Sequence, residues 1–207
     1  MTENFPSQPE EHEKSTKSLL VSSAAFFIEL VKIVAVCVSI IIVVRWFLFQ
    51  PFYVKGSSME PNFYDGEYLI IYQLPYRFPG RLHKFSEKDR GKVIIFHPPN
   101  EMDQFYIKRI IGLPGERVEI VDGKIKIYNE ENSAGFILDE KYLDDSVQTL
   151  SGMYDDITLG LKEIYVLGDN RSRSLDSRRI GPIPIYNLIG TPIVRGWPIE
   201  KAGLIME

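Results

Sequence analysis

Only one cysteine, Cys37, occurs in the 207 residues. An intrachain disulfide is therefore excluded, and a cysteine-built metal site has no support. Cys37 sits inside an apolar run and reads as a small apolar side chain. Histidine is scarce too: His12, His83 and His97 are scattered, without metal-ligand spacing such as HExxH, so no metal site is expected. Neither sign of charge dominates. A net charge of −4 is spread over both signs, and no polybasic stripe argues for nucleic acid. Repeats are missing, and beyond residue 50 so is long helical periodicity. What remains is an apolar fraction of 44%, enough to build a core. The length allows one domain, or one domain plus an anchor.

One long hydrophobic run is present. "LVKIVAVCVSIIIVVRWFLF", Leu30 to Phe49, is interrupted only by Lys32 and Arg45. About 20 mainly apolar residues span a bilayer as a helix. Lys32 stands three residues from Glu29 and can snorkel to the interface, while Arg45 and Trp46 suit the opposite one. A buried core helix is the alternative. A cleavable signal peptide fits worse, because no small-x-small site follows. The positive charges on the two sides do not settle orientation. The organisation is a polar, disordered tail over 1–23, a transmembrane anchor over 24–49, a domain over 50–200 and a C-terminal tail over 201–207.

The domain is patterned in short strands. "EYLIIYQ" (67–73), "KVIIF" (92–96), "QFYIKRII" (104–111), "EIYVLGDN" (163–170) and "LIGTPIVRGW" (188–197) are rich in β-branched and aromatic residues. "RVEIVDGKIKIYN" (117–129) alternates on both sides of Asp122-Gly123, a strong hairpin signal. The fold class is mainly β, a sandwich or coiled antiparallel sheet behind one helix. Residues 74–89 and the acidic 130–160 stretch read as surface loops.

Three stretches carry candidate chemistry. "VKGSSMEP" (54–61) offers two adjacent hydroxyls, Ser57 and Ser58. A serine needs a base to act as a nucleophile. His97, in "FHPP", is the one histidine flanked by a strand; a neutral lysine is the other option. Lysine has an ordinary pKa near ~10.4, so only burial among apolar groups suits it to the task. Lys108 in "FYIKRIIG" fits best, with Tyr106 and Ile110 on its side of a strand; an edge-strand lysine facing water is the alternative. "LGDNRSRSLDSRRIGPIP" (167–184) gathers hydroxyls, Asp169, Asp176 and several arginines. It reads either as a polar loop held by Asx-type turns or as a network that holds a site in place.

Taken together and in this order, the segments resemble type I signal peptidase, the membrane-bound leader peptidase with a Ser-Lys dyad. "GSSMEP" is similar to its Ser-Met-x-Pro segment, "RGKVIIFHPP" to its Arg-Gly-Asp strand, "YIKRIIGLPGERVEI" to its base segment, and "GDNRSRSLDSRR" to its Gly-Asp-Asn-Arg…Asp-Ser-Arg segment. The resemblance implies Ser58 as nucleophile and Lys108 as general base. Ser174 falls at the position of a hydroxyl that bonds the lysine. Asp169 and Asp176 fall at acidic positions, paired here with Arg109 and Arg178. The Ser58 N–H serves as oxyanion donor. Gly56 stands where many members carry a second, serine donor, and Lys92 stands where an aspartate is common. Phe52, Val54, Met59, Leu69, Ile95, Tyr106 and Ile107 match positions lining shallow pockets for small residues at −1 and −3; each also has an ordinary core reading.

The implied activity is removal of signal peptides from exported preproteins after Ala-x-Ala-like sites, through an acyl-enzyme and without metal or cofactor. The implied partners are signal peptides, the lipid bilayer and the export machinery, with no nucleic acid. The implied location is the plasma membrane, single-pass, with the N-terminus in the cytoplasm and the domain outside. Ser58 lies nine residues beyond Phe49. An extended chain covers at most ~3.3–3.6 Å per residue, so the nucleophile stays within ~30 Å of the bilayer face. Trp46, Phe47, Phe49 and Phe52 are candidates for contact with lipid. The 130–160 loop is expected to form at most a small cap. A self-cleaving repressor-type protease, a catalytically dead binding domain and a His97-dependent hydrolase are the rivals.

Overall fold

The computed structural model describes residues 10–47, 49–77 and 84–205, in two units that divide after Trp46. The first unit holds helix α1, Glu10–Phe47, up to its last residue. Its segment Phe26–Arg45 is long and apolar enough to cross a membrane, with a mean hydropathy of 2.8. Its apolar side chains, among them Phe26, Val34 and Ile41, are exposed on every face rather than along one stripe. That distribution suits a lipid surround and not a soluble surface helix. The disordered tail expected over 1–23 is corrected from residue 10 onward. Glu, Lys, Leu and Ala in 10–25 are good helix formers, and they extend a helix already nucleated by the apolar run. Residues 1–9 lie outside the described residues, as do 48, 78–83 with His83, 206–207, and the side chains of 10–25, Trp46 and Phe47.

The second unit is built from β1 (Phe49–Tyr53), β2 (Tyr68–Tyr72), helix α2 (Leu74–Arg77), β3 (Val93–Phe96), β4 (Tyr106–Gly112), β5 (Arg117–Val121), β6 (Lys124–Tyr128), β7 (Phe136–Ile137), β8 (Asp156–Thr158), β9 (Glu163–Leu167), helix α3 (Ser177–Ile180), β10 (Ile183–Pro184), β11 (Leu188–Trp197) and β12 (Gly203–Leu204). The larger sheet runs β1-β2-β11-β3-β4-β9-β10 with β12 beside β11, and its pairings are antiparallel. Register shifts interrupt β11 against β2, β11 against β3 and β4 against β9. Bulges of this kind bend and twist a strand, so the sheet coils. The smaller sheet runs β7-β6-β5-β8. At the β5–β6 turn Asp122 and Gly123 take φ of 50° and 75°, as a tight hairpin demands.

Alternation along β3 shows how the sheet is covered. Val93 and Ile95 enter one apolar cluster with Val54, Met59, Leu69, Ile71 and Ile107. Ile94 and Phe96 enter another with Ile110, Ile164, Val166 and Leu188. Burial on both faces explains the continuous apolar run of "VIIF". The smaller sheet adds Val118, Ile125 and Ile127 against Ile111, Tyr165 and Leu167. The acidic stretch expected to be a loop therefore contributes β7 and β8 to a small covering sheet. The C-terminal tail expected from 201 is also corrected: β12 pairs with β11, the Ile205 N–H donates to Ile193 O at 2.9 Å, and Ile205 packs on the Val54–Met59 cluster. Ile205 gives that segment an apolar side chain to bury, while Leu204 stays exposed.

Candidate active site

β1 ends at Tyr53, and the chain then turns through Gly56 before Ser57, Ser58 and the buried Met59. Gly56 has φ of +86°, and its N–H donates to Asp65 Oδ1 at 2.7 Å. Met59 anchors the turn from below, in the same cluster as Leu69 and Ile95. Ser58 is left half-buried with its hydroxyl toward β4.

β4 supplies the partner. It runs between β3 and β9, so Lys108 is not on an edge strand. Its side chain is 4% exposed, and Nζ lies 2.7 Å from Ser58 Oγ and 2.8 Å from Ile107 O. Burial pushes its pKa down from the ordinary lysine value to about 8, against a smaller upward pull from Asp176 and Asp169. Ser57 also lines the cleft beside this pair, but its hydroxyl makes no bond to Lys108; its carbonyl accepts from Asn170 Nδ2 at 3.0 Å. His97 Nδ1 lies 2.8 Å from Gln104 O and its ring packs on Phe105. Among the described residues the only serine hydroxyl bonded to Lys108 is that of Ser58, and the bonds of His97, to Gln104 and Asn187, do not reach it. The Ser58 N–H has no acceptor among the described residues. It remains free to donate to an oxyanion.

The loop after β9 wraps this pair. Arg109 grips Asp169 through Nε–Oδ1 at 2.8 Å and Nη2–Oδ2 at 2.6 Å, both groups buried. Asp176 caps α3 and takes Arg178 Nε and Nη2, each at 2.8 Å, and the Gly168 N–H at 3.0 Å. The Asn170 N–H donates to Ser58 O at 3.1 Å, which ties the loop to the serine turn. Ser174 is buried near by, but its hydroxyl has no hydrogen-bond partner among the described residues. The Ser174–Lys108 bond implied by the resemblance is thus not made: the ammonium has Ser58 Oγ and Ile107 O instead. Lys92 pairs with Asp89 at 2.9 Å.

A cleft of about 620 Å³ opens beside Ser58 and Lys108. Phe52, Val54, Tyr106 and Ile107 line it. Met59, Leu69 and Ile95 do not; they lie beneath, in the cluster that holds Val54 and Ile107 in place. Strand geometry gives the cleft a further property. β1 is the edge of the large sheet, and Tyr106–Lys108 pair only with β3, because β9 begins to pair at Arg109. Two unpaired backbone flanks border one slot, the arrangement that accepts an extended peptide as an added strand.

Sequence reasoning missed the groups that fix the loop. Gly168 is one, and Asn170 is another. Asn62 Nδ2 donates to both Asp169 Oδ2 and Tyr142 O at 2.8 Å. Arg171 joins Glu140, Thr149 Oγ1 and Gly168 O, so the acidic stretch is clamped to the loop. No spacing signal pairs residues this far apart in sequence; the Gly-Asp-Asn-Arg run itself was the only available pointer.

A buried lysine hydrogen-bonded to a serine, beside a free backbone N–H and an open β-slot, is an arrangement that suits nucleophilic acyl transfer with lysine as base. A family profile and curated relatives agree on one family. The profile described as "Signal peptidase, peptidase S26" matches residues 27–197. Curated relatives include "Signal peptidase I" of Bacillus licheniformis, 33% identical over 79% of this chain and 84% of its own length. "Probable signal peptidase I-2" of Synechocystis sp. is 31% identical over 87% and 78%. A solved structure of a signal peptidase I from Enterococcus faecalis is 29% identical, with a TM-score of 0.41 over 52% of this chain and 98% of that one. The chain belongs to the signal peptidase family, peptidase S26.

Proposed function

We propose that this chain is a membrane-anchored signal peptidase I that cuts N-terminal signal peptides from exported preproteins, with Ser58 as nucleophile and Lys108 as general base. The observation that carries this reading is the 2.7 Å contact between Ser58 Oγ and a Lys108 Nζ that burial has made a weak cation.

Neutral Lys108 takes the proton of Ser58 Oγ as that oxygen attacks the carbonyl carbon after an Ala-x-Ala-like site. The Ser58 N–H receives the developing oxyanion; one such donor is worth roughly 2.7–4 kcal/mol. Collapse breaks the C–N bond, and Lys108 passes its proton to the leaving amine of the mature chain. A water then attacks the ester, Lys108 accepts its proton, and the proton returns to Ser58 as the signal peptide leaves. The leader lies extended in the slot between β1 and β4. Phe52, Val54, Tyr106 and Ile107 form walls that admit only small side chains at −1 and −3. Asp169–Arg109 and Asp176–Arg178 hold the loop behind the dyad, and Ser174 fills the space beside it.

The anchor crosses the membrane once, the N-terminus lies in the cytoplasm, and the domain works outside beside the export machinery. Phe49 and Phe52 contribute to contact with lipid, which flotation of an anchorless domain with liposomes tests; failure to float counts against it.

The test of the chemistry uses detergent-solubilised full-length chain and a preprotein with an Ala-x-Ala site. Ser58→Ala and Lys108→Met are expected to abolish cleavage, and Ser57→Ala and His97→Ala to retain it. Full activity in Lys108→Met overturns the reading.

A further inference from the structure

Ser58 and Lys108 stand 50 positions apart in the chain, so their 2.7 Å contact is set by whatever fixes the serine turn against β4. The front and the rear of that turn are held separately. At the front, the Asn170 N–H donates to Ser58 O at 3.1 Å and Asn170 Nδ2 to Ser57 O at 3.0 Å. At the rear stands Asn62, whose own N–H closes the turn by donating to Met59 O at 3.0 Å. A turn attached at one place can swivel about it; a second attachment removes that freedom.

Asn62 supplies the second attachment. Its Nδ2 donates to Asp169 Oδ2 and to Tyr142 O, each at 2.8 Å. Its carbonyl accepts from Arg195 Nη2 on β11 at 2.7 Å. Both neighbours of Nδ2 can only accept: one is a carboxylate gripped by Arg109, the other a main-chain carbonyl. They call for two donors on one nitrogen, which a side-chain amide provides and a leucine or aspartate of similar size does not.

These bonds close a ring. Ser58 leads through the turn to Asn62, Asn62 binds Asp169, and Asp169 binds Arg109. Arg109 follows Lys108 on β4, and Lys108 Nζ meets Ser58 Oγ. Tyr142 packs on the same ring, with its aromatic face 4.0 Å from the Arg109 guanidinium carbon. Asn62 itself lines a separate cavity of about 720 Å³ and not the cleft beside the dyad.

We propose that Asn62 is a positioning residue for the reaction: it acts through Asp169 and holds Ser58 Oγ at bonding distance from Lys108 Nζ. The inference rests on the Ser58–Lys108 reading above. Because Asn62 stands outside the cleft, its loss leaves the substrate walls in place and is felt in turnover rather than in binding.

The experiment measures kcat and KM of the full-length enzyme in detergent on a preprotein with an Ala-x-Ala site, per folded molecule by near-ultraviolet circular dichroism. Asn62→Leu is expected to lower kcat about 10- to 100-fold, the scale of a displacement of up to about 1 Å at a reacting group, with KM little changed. Asn62→Gln keeps both donors and is expected to recover part of the loss; Asn62→Asp keeps the size without the donors and is not. The rising limb of kcat/KM is expected to move to higher pH in Asn62→Leu, because a turn that swings away admits water to Lys108 and relieves its burial. A role in stability alone would leave that limb where it is. Wild-type kcat in Asn62→Leu, an unmoved limb, or equal losses in Asn62→Gln and Asn62→Asp overturn the proposal, and the last contrast decides even where the leucine variant does not fold. Ser58→Ala separates the two readings. If it still cuts, the dyad reading falls and this one with it; if it is inert while Asn62→Leu turns over like wild type, only the role of Asn62 falls.

Discussion

A β-carbon on Gly168 would lie 2.2 Å from the Ser174 hydroxyl and 2.5 Å from the Ser58 carbonyl oxygen. β9 thus passes into its loop at a point where only glycine fits between the loop's own serine and the proposed nucleophile. In Gly168→Ala the backbone must shift, and Ser58 shifts with it. A displacement near 1 Å at a reacting group costs on the order of 100-fold in rate. Turnover is expected to fall by about that factor with an unchanged far-ultraviolet circular dichroism spectrum. Wild-type turnover in this variant would contradict the close packing.

Lys108 predicts a pH dependence. Only its neutral form accepts a proton, and burial sets its pKa at about 8. Below that value the neutral fraction falls roughly tenfold per pH unit. The kcat/KM profile is expected to rise through about pH 8 and then level off. Linkage gives a second readout. The folded pKa is depressed below the unfolded ~10.4. Between those values the unfolded chain holds the proton and the folded one does not, so stability rises with pH across that window and is lower below it. Denaturant midpoints measured from pH 7 to 10 test this.

Arg109→Met strands the Asp169 carboxylate in a buried place. Removing one partner of such a pair costs about 3–5 kcal/mol. Adding Asp169→Leu is expected to restore part of this, because no charge is then left unpaired, although Asn62 loses an acceptor. Urea denaturation of the two variants measures the difference.

Glu140 joins the acidic stretch to the loop through Arg171. Glu140→Gln is expected to cost about 1.5–3 kcal/mol, the worth of hydrogen bonds to a charged group. It should also expose residues 139–154 to limited proteolysis before the rest of the domain unfolds. An unchanged cleavage pattern would show that the clamp contributes nothing.

Gly56 has open space where a side chain would go, yet its φ is +86°. Any L-residue there costs about 1–2 kcal/mol. Gly56→Ser and Gly56→Ala are expected to lose equal stability, and the serine variant should outpace the alanine variant in turnover only if its hydroxyl reaches the oxyanion.

Legibility in the sequence followed the range of the interactions. β11 was readable from "LIGTPIVRGW" with both ends correct, and the β5–β6 turn from Asp122-Gly123, because alternation and turn chemistry are local. β1 was not read as a strand, since Phe49–Tyr53 carries a proline and its first residue belongs to the apolar run assigned to the anchor. β7, β8 and β12 have two or three residues each, too few for any period to register. At the site, residue types alone left both serines open and allowed Lys108 to be a solvent-facing lysine. Its burial depends on β9 and on the serine turn, 50 residues away in the chain. Met59, Leu69 and Ile95 looked like pocket walls because core and pocket use the same apolar side chains; only the fold separates a lining residue from one packed behind it.

Lys108 and Arg109 are neighbours on β4, and alternation sends one to Ser58 and the other to Asp169. A slip of one residue in β4 would bring Arg109 to the place of Lys108 and Ile110 to that of Arg109. The serine would then face a guanidinium, which does not surrender its proton in proteins. Strand register therefore acts as the on-off setting of this chemistry, and the bulge between Ile110 and Gly112 marks where that setting is locked.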